Sequence, residues 1–196
     1  MDDTLPSAIQ HRKRPIAGHR ILLTAIFLLT WLTQPLYAEQ SSPRFSAPYL
    51  GGNIGISNVE NISGYGSSES LNAFAGFYLF QNFSAELWIT YLGEFDVKNL
   101  NNAYSKSSGL GASLAYRFDM GQLFALRPSV GIFYSDTEIY FEDQKIGDDS
   151  GSDYMLGLSG VFTANEHVLV NLNVHLFKDV SGADIVTFSA GAGYQF

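Results

Sequence analysis

The chain alternates apolar and polar residues with period two, and its last two strand-like stretches do so most plainly. Val168, Val170, Leu172, Val174 and Leu176 hold one parity, against Leu169, Asn171, Asn173, His175 and Phe177. From Ile185 to the end, Val186, Phe188, Ala190, Ala192, Tyr194 and Phe196 oppose Thr187, Ser189, Gly191, Gly193 and Gln195. Successive side chains of an extended strand point to opposite faces. Each stretch therefore offers one oily face and one small or polar face.

The pattern recurs along the chain. Strands are expected at residues 49–56, 70–80, 83–92, 109–118, 123–137, 154–162, 168–177 and 185–196. Short turns are expected at 81–82, 119–122 and 163–166. Longer polar loops are expected at 58–69, 93–105 and 138–153, with a moderate one at 178–184. An even number of strands with alternating short and long connections predicts an all-β fold, an eight-stranded antiparallel up-and-down transmembrane β-barrel. In that arrangement both termini are periplasmic and the long loops extracellular. Pro128 is a misfit, because a closed barrel has no free edge to excuse a missing donor. A bulge is expected there, or pairing that is complete only beyond it.

The N-terminus reads as a separate segment. Arg12, Lys13, Arg14 and Arg20 precede an apolar run from Ile21 to Leu32, and Thr33-Gln-Pro-Leu-Tyr-Ala38 follows. This is the order of a secretory signal peptide. The run is shorter than the about 20 residues a spanning helix needs. Residues 1–38 are therefore expected to be a signal peptide cleaved after Ala38. Residues 39–46 would be a short periplasmic leader and 47–196 the barrel. The processed chain carries seven basic and 17 acidic residues, which argues against nucleic acid as a partner. With no cysteine, disulfides, thiol chemistry and cysteine metal sites are excluded.

Two stacked sheets also bury one face of each strand, so the barrel reading rests on charge placement. The oily stripes hold no charge within membrane-length segments, where a Lys or Arg facing lipid costs about 2–4 kcal/mol. Aromatic residues sit at the stripe ends: Phe83, Tyr116, Phe118, Phe124, Phe162, Tyr194 and Phe196 at one end, Tyr91, Tyr134 and Tyr154 at the other. Such residues favour membrane interfaces. The opposite parity carries Glu86, Arg117 and Arg127 at core depth, which a sandwich holds only when paired. The expected lumen network is Glu86, Arg117, Arg127 and His175, with Thr90, Asn171, Asn173, Thr187 and Gln195 beside it. Glu86 is expected to pair with Arg117 on the neighbouring strand, because an unpaired buried charge is costly.

The segments Phe77-Tyr-Leu-Phe-Gln-Asn-Phe-Ser-Ala-Glu-Leu87, Gly109-Leu-Gly-Ala-Ser-Leu-Ala-Tyr-Arg-Phe118, Leu126-Arg-Pro-Ser-Val-Gly131 and Gly193-Tyr-Gln-Phe196 resemble the OmpA-like membrane-barrel family. The resemblance spans roughly residues 47–196. It implies that the closing strand, with Tyr194 and Phe196, is an assembly signal read by the barrel-insertion machinery. It also implies interior Glu/Arg pairing. The chain stops at Phe196, so the peptidoglycan-binding domain of the longer relatives is not expected.

For function, the leading expectation is an outer-membrane protein with a structural or surface-interaction role, adhesion-like, carried by its extracellular loops. Its partners would be outer-membrane lipid and lipopolysaccharide, the insertion machinery, and a host or surface ligand at the loops. One alternative is a narrow channel for ions or small solutes, against which Tyr78, Trp88 and Phe133 argue by filling the lumen. Another is a lipid-modifying enzyme, which needs a serine, histidine and acid together. His167 lies at a turn and His175 among asparagines, so no enzyme activity, catalytic residue or cofactor is expected. Asp148, Asp149 and Asp153 do not fit a calcium loop, and no metal site is expected.

Overall fold

The computed structural model describes residues 47–80, 82–97 and 102–196. The expected signal peptide and leader lie outside them. The elements are β1 (Pro48–Glu60), β2 (Ser67–Phe80), β3 (Phe83–Asp96), β4 (Ala103–Tyr116), β5 (Phe118–Asp119), β6 (Phe124–Phe141), β7 (Gln144–Thr163), β8 (Val168–Val180) and β9 (Ala183–Gln195). Every pairing is antiparallel. β1 pairs with both β2 and β9, and β4 with β6, so the sheet closes on itself. β5 continues β4 beyond Arg117, which makes nine elements an eight-stranded barrel. No helix occurs among the described residues.

The two parities separate as the alternation requires. Ile54, Leu87, Ile89, Ile132 and Leu172 stand outward and about two-thirds exposed. Their inward neighbours, among them Asn53, Glu86, Trp88, Phe133 and Asn171, are buried. An outward band this apolar is the face a bilayer contacts. The barrel has a turn end, holding both ends of the described chain and the short β2–β3, β5–β6 and β7–β8 connections, and an opposite loop end.

Pro128 produces a gap without a bulge. The β4–β6 ladder stops at Ala115↔Ser129 and resumes in β5 at Phe118↔Leu126. The register is the same on both sides, so only the rungs at Pro128 and Arg127 are missing. Proline has no N–H to give. On its other side the β6–β7 ladder runs through Pro128↔Leu158.

The loop end differs from expectation. Residues 138–153, read as an acidic loop, are instead the outer halves of β6 and β7, joined at Glu142 and Asp143. Both turn residues have positive φ, 49° and 62°, as a tight primed hairpin turn requires. Strands likewise extend to Glu60 and from Ser67, and to Asp96 and from Ala103. Residues 178–184 reduce to the ends of β8 and β9 about Ser181 and Gly182. Beyond the bilayer both faces of a strand are wet, so alternation vanishes while backbone pairing persists. A polar strand then reads as a loop.

These extensions make β3, β4, β6 and β7 a four-stranded sheet projecting from the barrel. A bulge at Tyr91/Gly93 in β3 flips the parity, so that Leu92 and Phe95 both point inward and are buried. Gly93 has φ of 127°, and a Cβ there would come within 2.8 Å of the Glu69 carbonyl oxygen. Leu92 and Phe95 join Phe133, Met155, Phe177, Val180 and Ile185 in one apolar cluster under the loop end, with Val59 and Tyr65 packed on it. Burying each large side chain contributes about 1.5–3 kcal/mol.

Candidate functional site

The lumen holds a charge network built on one rung. Tyr49 in β1 pairs with Gly76 in β2, and Gly76 with Glu86 in β3. Gly76 makes the room: a Cβ there would lie 2.6 Å from Tyr49 Cζ. Tyr49 Oη donates to Glu86 Oε1 at 2.6 Å. Arg127 Nη2 donates to the same carboxylate oxygen and, at 3.1 Å, to Tyr49 Oη. Its guanidinium carbon lies 5.5 Å from the Tyr49 ring centroid. All three residues are at most 5 % exposed, so each charge depends on the other.

The expected pair Glu86–Arg117 does not form. Glu86 is level with Ser113 on β4, and Arg117 lies four residues away, about 13 Å along the strand. Arg117 N donates to the Asn82 carbonyl at 2.8 Å, and its Nε donates to Asp119 Oδ1 at 2.6 Å. Arg117 thus serves the turn end, and Arg127, one strand further on, takes Glu86. Tyr49, absent from the expected network, is its hub; its inward parity with Gly51 and Asn53 was the available signal.

Aromatic rings continue from this network to the loop end. Tyr78 and Tyr49 are 5.5 Å apart, Tyr49 and Phe74 6.3 Å, Phe74 and Trp88 5.3 Å. Trp88 meets His175 edge-on at 4.9 Å. His175 and Phe177 are 6.1 Å apart, and Phe177 and Phe133 4.6 Å. Trp88 Nε1 donates to Ser113 Oγ at 3.0 Å. His175 is almost wholly buried and faces this file of rings, not lipid; its Nε2 has no hydrogen-bond partner among the described residues. The same holds for Thr90 Oγ1 and Asn171 Oδ1. Buried polar atoms of this kind are water sites in protein interiors.

At the turn end, His167 grips the closing strand. Its Nδ1 donates to the Gln195 carbonyl at 2.8 Å, and its ring stacks on Tyr194 at 5.3 Å and 14°. Gln195 N donates to the His167 carbonyl at 2.7 Å. Phe196 N donates to the Pro48 carbonyl at 3.1 Å. Tyr194 and Phe196 both face outward.

The loop end carries the surface chemistry. Tyr104 and Tyr140 stack at 5.0 Å and 10°, and Lys106 Nζ lies 5.2 Å from each ring. Lys106 pairs with Glu94 at 3.3 Å. Lys145 pairs with Glu138 at 2.9 Å and Asp148 at 3.6 Å, and Lys178 with Asp184. The Lys145 hydrogen bond holds Glu138 below the ordinary carboxylate range. Each of these three lysines is already matched by a carboxylate. Asp136, Glu142 and Asp149 have no ion-pair partner among the described residues, so the surface is acidic. No cluster of metal-ligating side chains occurs among the described residues.

Comparison with solved structures gives the same architecture. Neisserial surface protein A superposes with a TM-score of 0.63 at 13 % identity, over 76 % of this chain and 97 % of that one. OprG of Pseudomonas aeruginosa gives 0.58 at 15 % identity, over 78 % and 96 %. Ail, the attachment invasion locus protein of Yersinia pestis, gives 0.53 at 14 % identity, over 77 % and 97 %. At these identities the likeness is one of fold. No curated protein matches the chain in sequence. The family model for the outer membrane protein beta-barrel domain matches residues 24–196, and the chain belongs to that family.

Proposed function

We propose that this outer-membrane barrel is a surface-interaction protein whose loop end faces outward from the cell and whose turn end, with both termini of the processed chain, faces the periplasm. The observation that carries this reading is the sheet of β3, β4, β6 and β7 standing beyond the apolar band. β6 and β7 run for 18 and 20 residues, against strands of about 10 residues needed to cross. In β7 the extra length, residues 144–152, is open to solvent on both faces and serves no crossing. The channel alternative is weakened by the apolar cluster under the loop end and by the ring file beneath it. The enzyme alternative is weakened by His175, which faces the lumen. In assembly, Tyr194 and Phe196 are the proposed signal read by the insertion machinery.

The kind of ligand follows from charge. Ail has been crystallised with the heparin analogue sucrose octasulfate. The loop end is acidic, and Lys106, Lys145 and Lys178 there are each matched by a carboxylate, so a sulfated polyanion fits poorly and a basic partner fits well. The test is binding of the protein in nanodiscs to immobilised matrix proteins and to heparin, before and after residues 138–151 are replaced by a short turn. Loss of matrix binding in the shortened protein, with weak heparin binding in both, supports the reading. Unchanged matrix binding, or a steady single-channel current through the intact protein, overturns it.

A further inference from the structure

The two edges of the projecting sheet are unlike. The β3 edge is covered. Tyr65 bridges Val97, Gly66 N donates to the Asp96 carbonyl at 3.3 Å, and Glu94 N donates to Ser68 Oγ at 2.7 Å. The β7 edge is bare. β7 and β8 first pair at Met155↔Phe177, so residues 144–154 of β7 pair only with β6. A Cβ built at Gly147 or Gly151 meets no atom within 4 Å. The run Gln144-Lys-Ile-Gly-Asp-Asp-Ser-Gly-Ser-Asp153 contains no proline, and its one lysine is bound to Glu138 and Asp148. Its backbone donors and acceptors on the free side therefore form a template about 30 Å long.

We infer that the β7 edge, residues 144–153, is a docking site for an extended, basic polypeptide segment, which adds to the sheet as a further strand. The inference rests on the surface-interaction reading and names where and how the partner binds. Main-chain hydrogen bonds supply the affinity of such strand addition, and side chains supply the selection. Here the selection is for positive charge. Residues 136–153 hold seven carboxylates and one lysine. Asp148 lies on one face of the strand, across from Glu138; Asp149 and Asp153 lie on the other, across from Thr137 and Phe133. An added strand thus meets acid on both its faces. A second copy of this chain is a poor occupant. Antiparallel self-pairing of residues 144–153 sets Asp148 of each copy opposite Asp149 of the other, and like charges directly opposite are unfavourable.

The test uses the unaltered protein in nanodiscs and three ten-residue peptides that share an alternating Thr/Val pattern. One carries lysines on both faces. The second is the same peptide N-methylated at alternate residues, which keeps the charge and removes ladder donors. The third carries glutamates in place of the lysines. Affinity is read by titration and the site by amide hydrogen exchange. The inference expects the basic peptide to bind and to slow exchange within residues 144–153. It expects N-methylation to weaken binding at least tenfold and the acidic peptide not to bind. Equal binding of the N-methylated peptide, protection centred elsewhere, or no binding by the basic peptide overturns it. Matrix binding that persists in the same preparation while the peptides fail sinks the edge site alone; loss of both sinks the wider reading.

Discussion

Replacing Glu86 with alanine tests the lumen network directly. The substitution leaves the Arg127 guanidinium, 5 % exposed, without the carboxylate it binds, and leaves Tyr49 Oη without its acceptor. Breaking a buried pair from one side costs about 3–5 kcal/mol. Tyr49→Phe removes only the hydroxyl, whose bonds run to charged groups on both sides, and should cost about 1.5–3 kcal/mol. Removing both charges, as in Glu86→Gln with Arg127→Met, should cost less than the sum of the single changes, because neither charge is then stranded. Arg117→Ala is the contrast. Its partner Asp119 is 45 % exposed at the side chain, so the loss should stay within about 1 kcal/mol. The measurement is denaturant unfolding of the refolded barrel in detergent, with the boiling-dependent shift in gel mobility as the readout of fold. If Glu86→Ala costs less than about 1 kcal/mol, or if Arg117→Ala costs as much as Arg127→Ala, the assignment of Glu86 to Arg127 is wrong.

Three further outcomes are expected. Gly76→Val places side-chain atoms where the Tyr49 ring stands and should destabilise the barrel by about 1–3 kcal/mol, while Gly151→Val, with open space beside it, should leave the unfolding midpoint unchanged. Deleting Phe196 should slow membrane insertion in cells more than it lowers the unfolding midpoint, and His167→Ala should lower the midpoint modestly while insertion proceeds; normal insertion without Phe196 removes the signal role. The Glu138–Lys145 contact should report on acid. Glu138 is held below its ordinary range by Lys145, so the contact's contribution is complete at neutral pH and is lost as pH falls through that lowered value. Hairpin amide exchange that is already faster at mildly acidic pH, before carboxylates titrate, would contradict this.

The membrane-crossing parts of the fold were legible because lipid imposes the alternation. Val168–Leu176 reads as a strand with one oily face, and the charges on the inward parity of other strands, Glu86, Arg117 and Arg127, separate a barrel from two stacked sheets. The parts beyond the bilayer were not legible for the same reason: nothing forces Asp148, Ser150 and Ser152 to differ in polarity from Asp149, Gly151 and Asp153. The parity flip at Gly93 was also hidden, since one inserted residue leaves no mark in composition. In the lumen, the inward parity of Glu86, Arg117, Arg127 and His175 followed from counting along each strand. Which charge meets which did not, because adjacent strands do not imply level residues. Arg117 stands on the strand next to Glu86 and is four residues out of line. Tyr49 was hidden by the glycine opposite it, whose role appears only when the rung is known.

The ring file has a spectroscopic consequence. The sequence contains two tryptophans, Trp31 and Trp88, and cleavage after Ala38 would leave Trp88 alone. Its indole lies edge-on to His175, hydrogen-bonded to Ser113 and shielded from solvent. A processed barrel would then carry a single tryptophan, selectively excitable beside its tyrosines, at the middle of its interior. Its emission reports the packing of the lumen without an added dye, and its lifetime senses any rearrangement of His175 or Phe74 beside it.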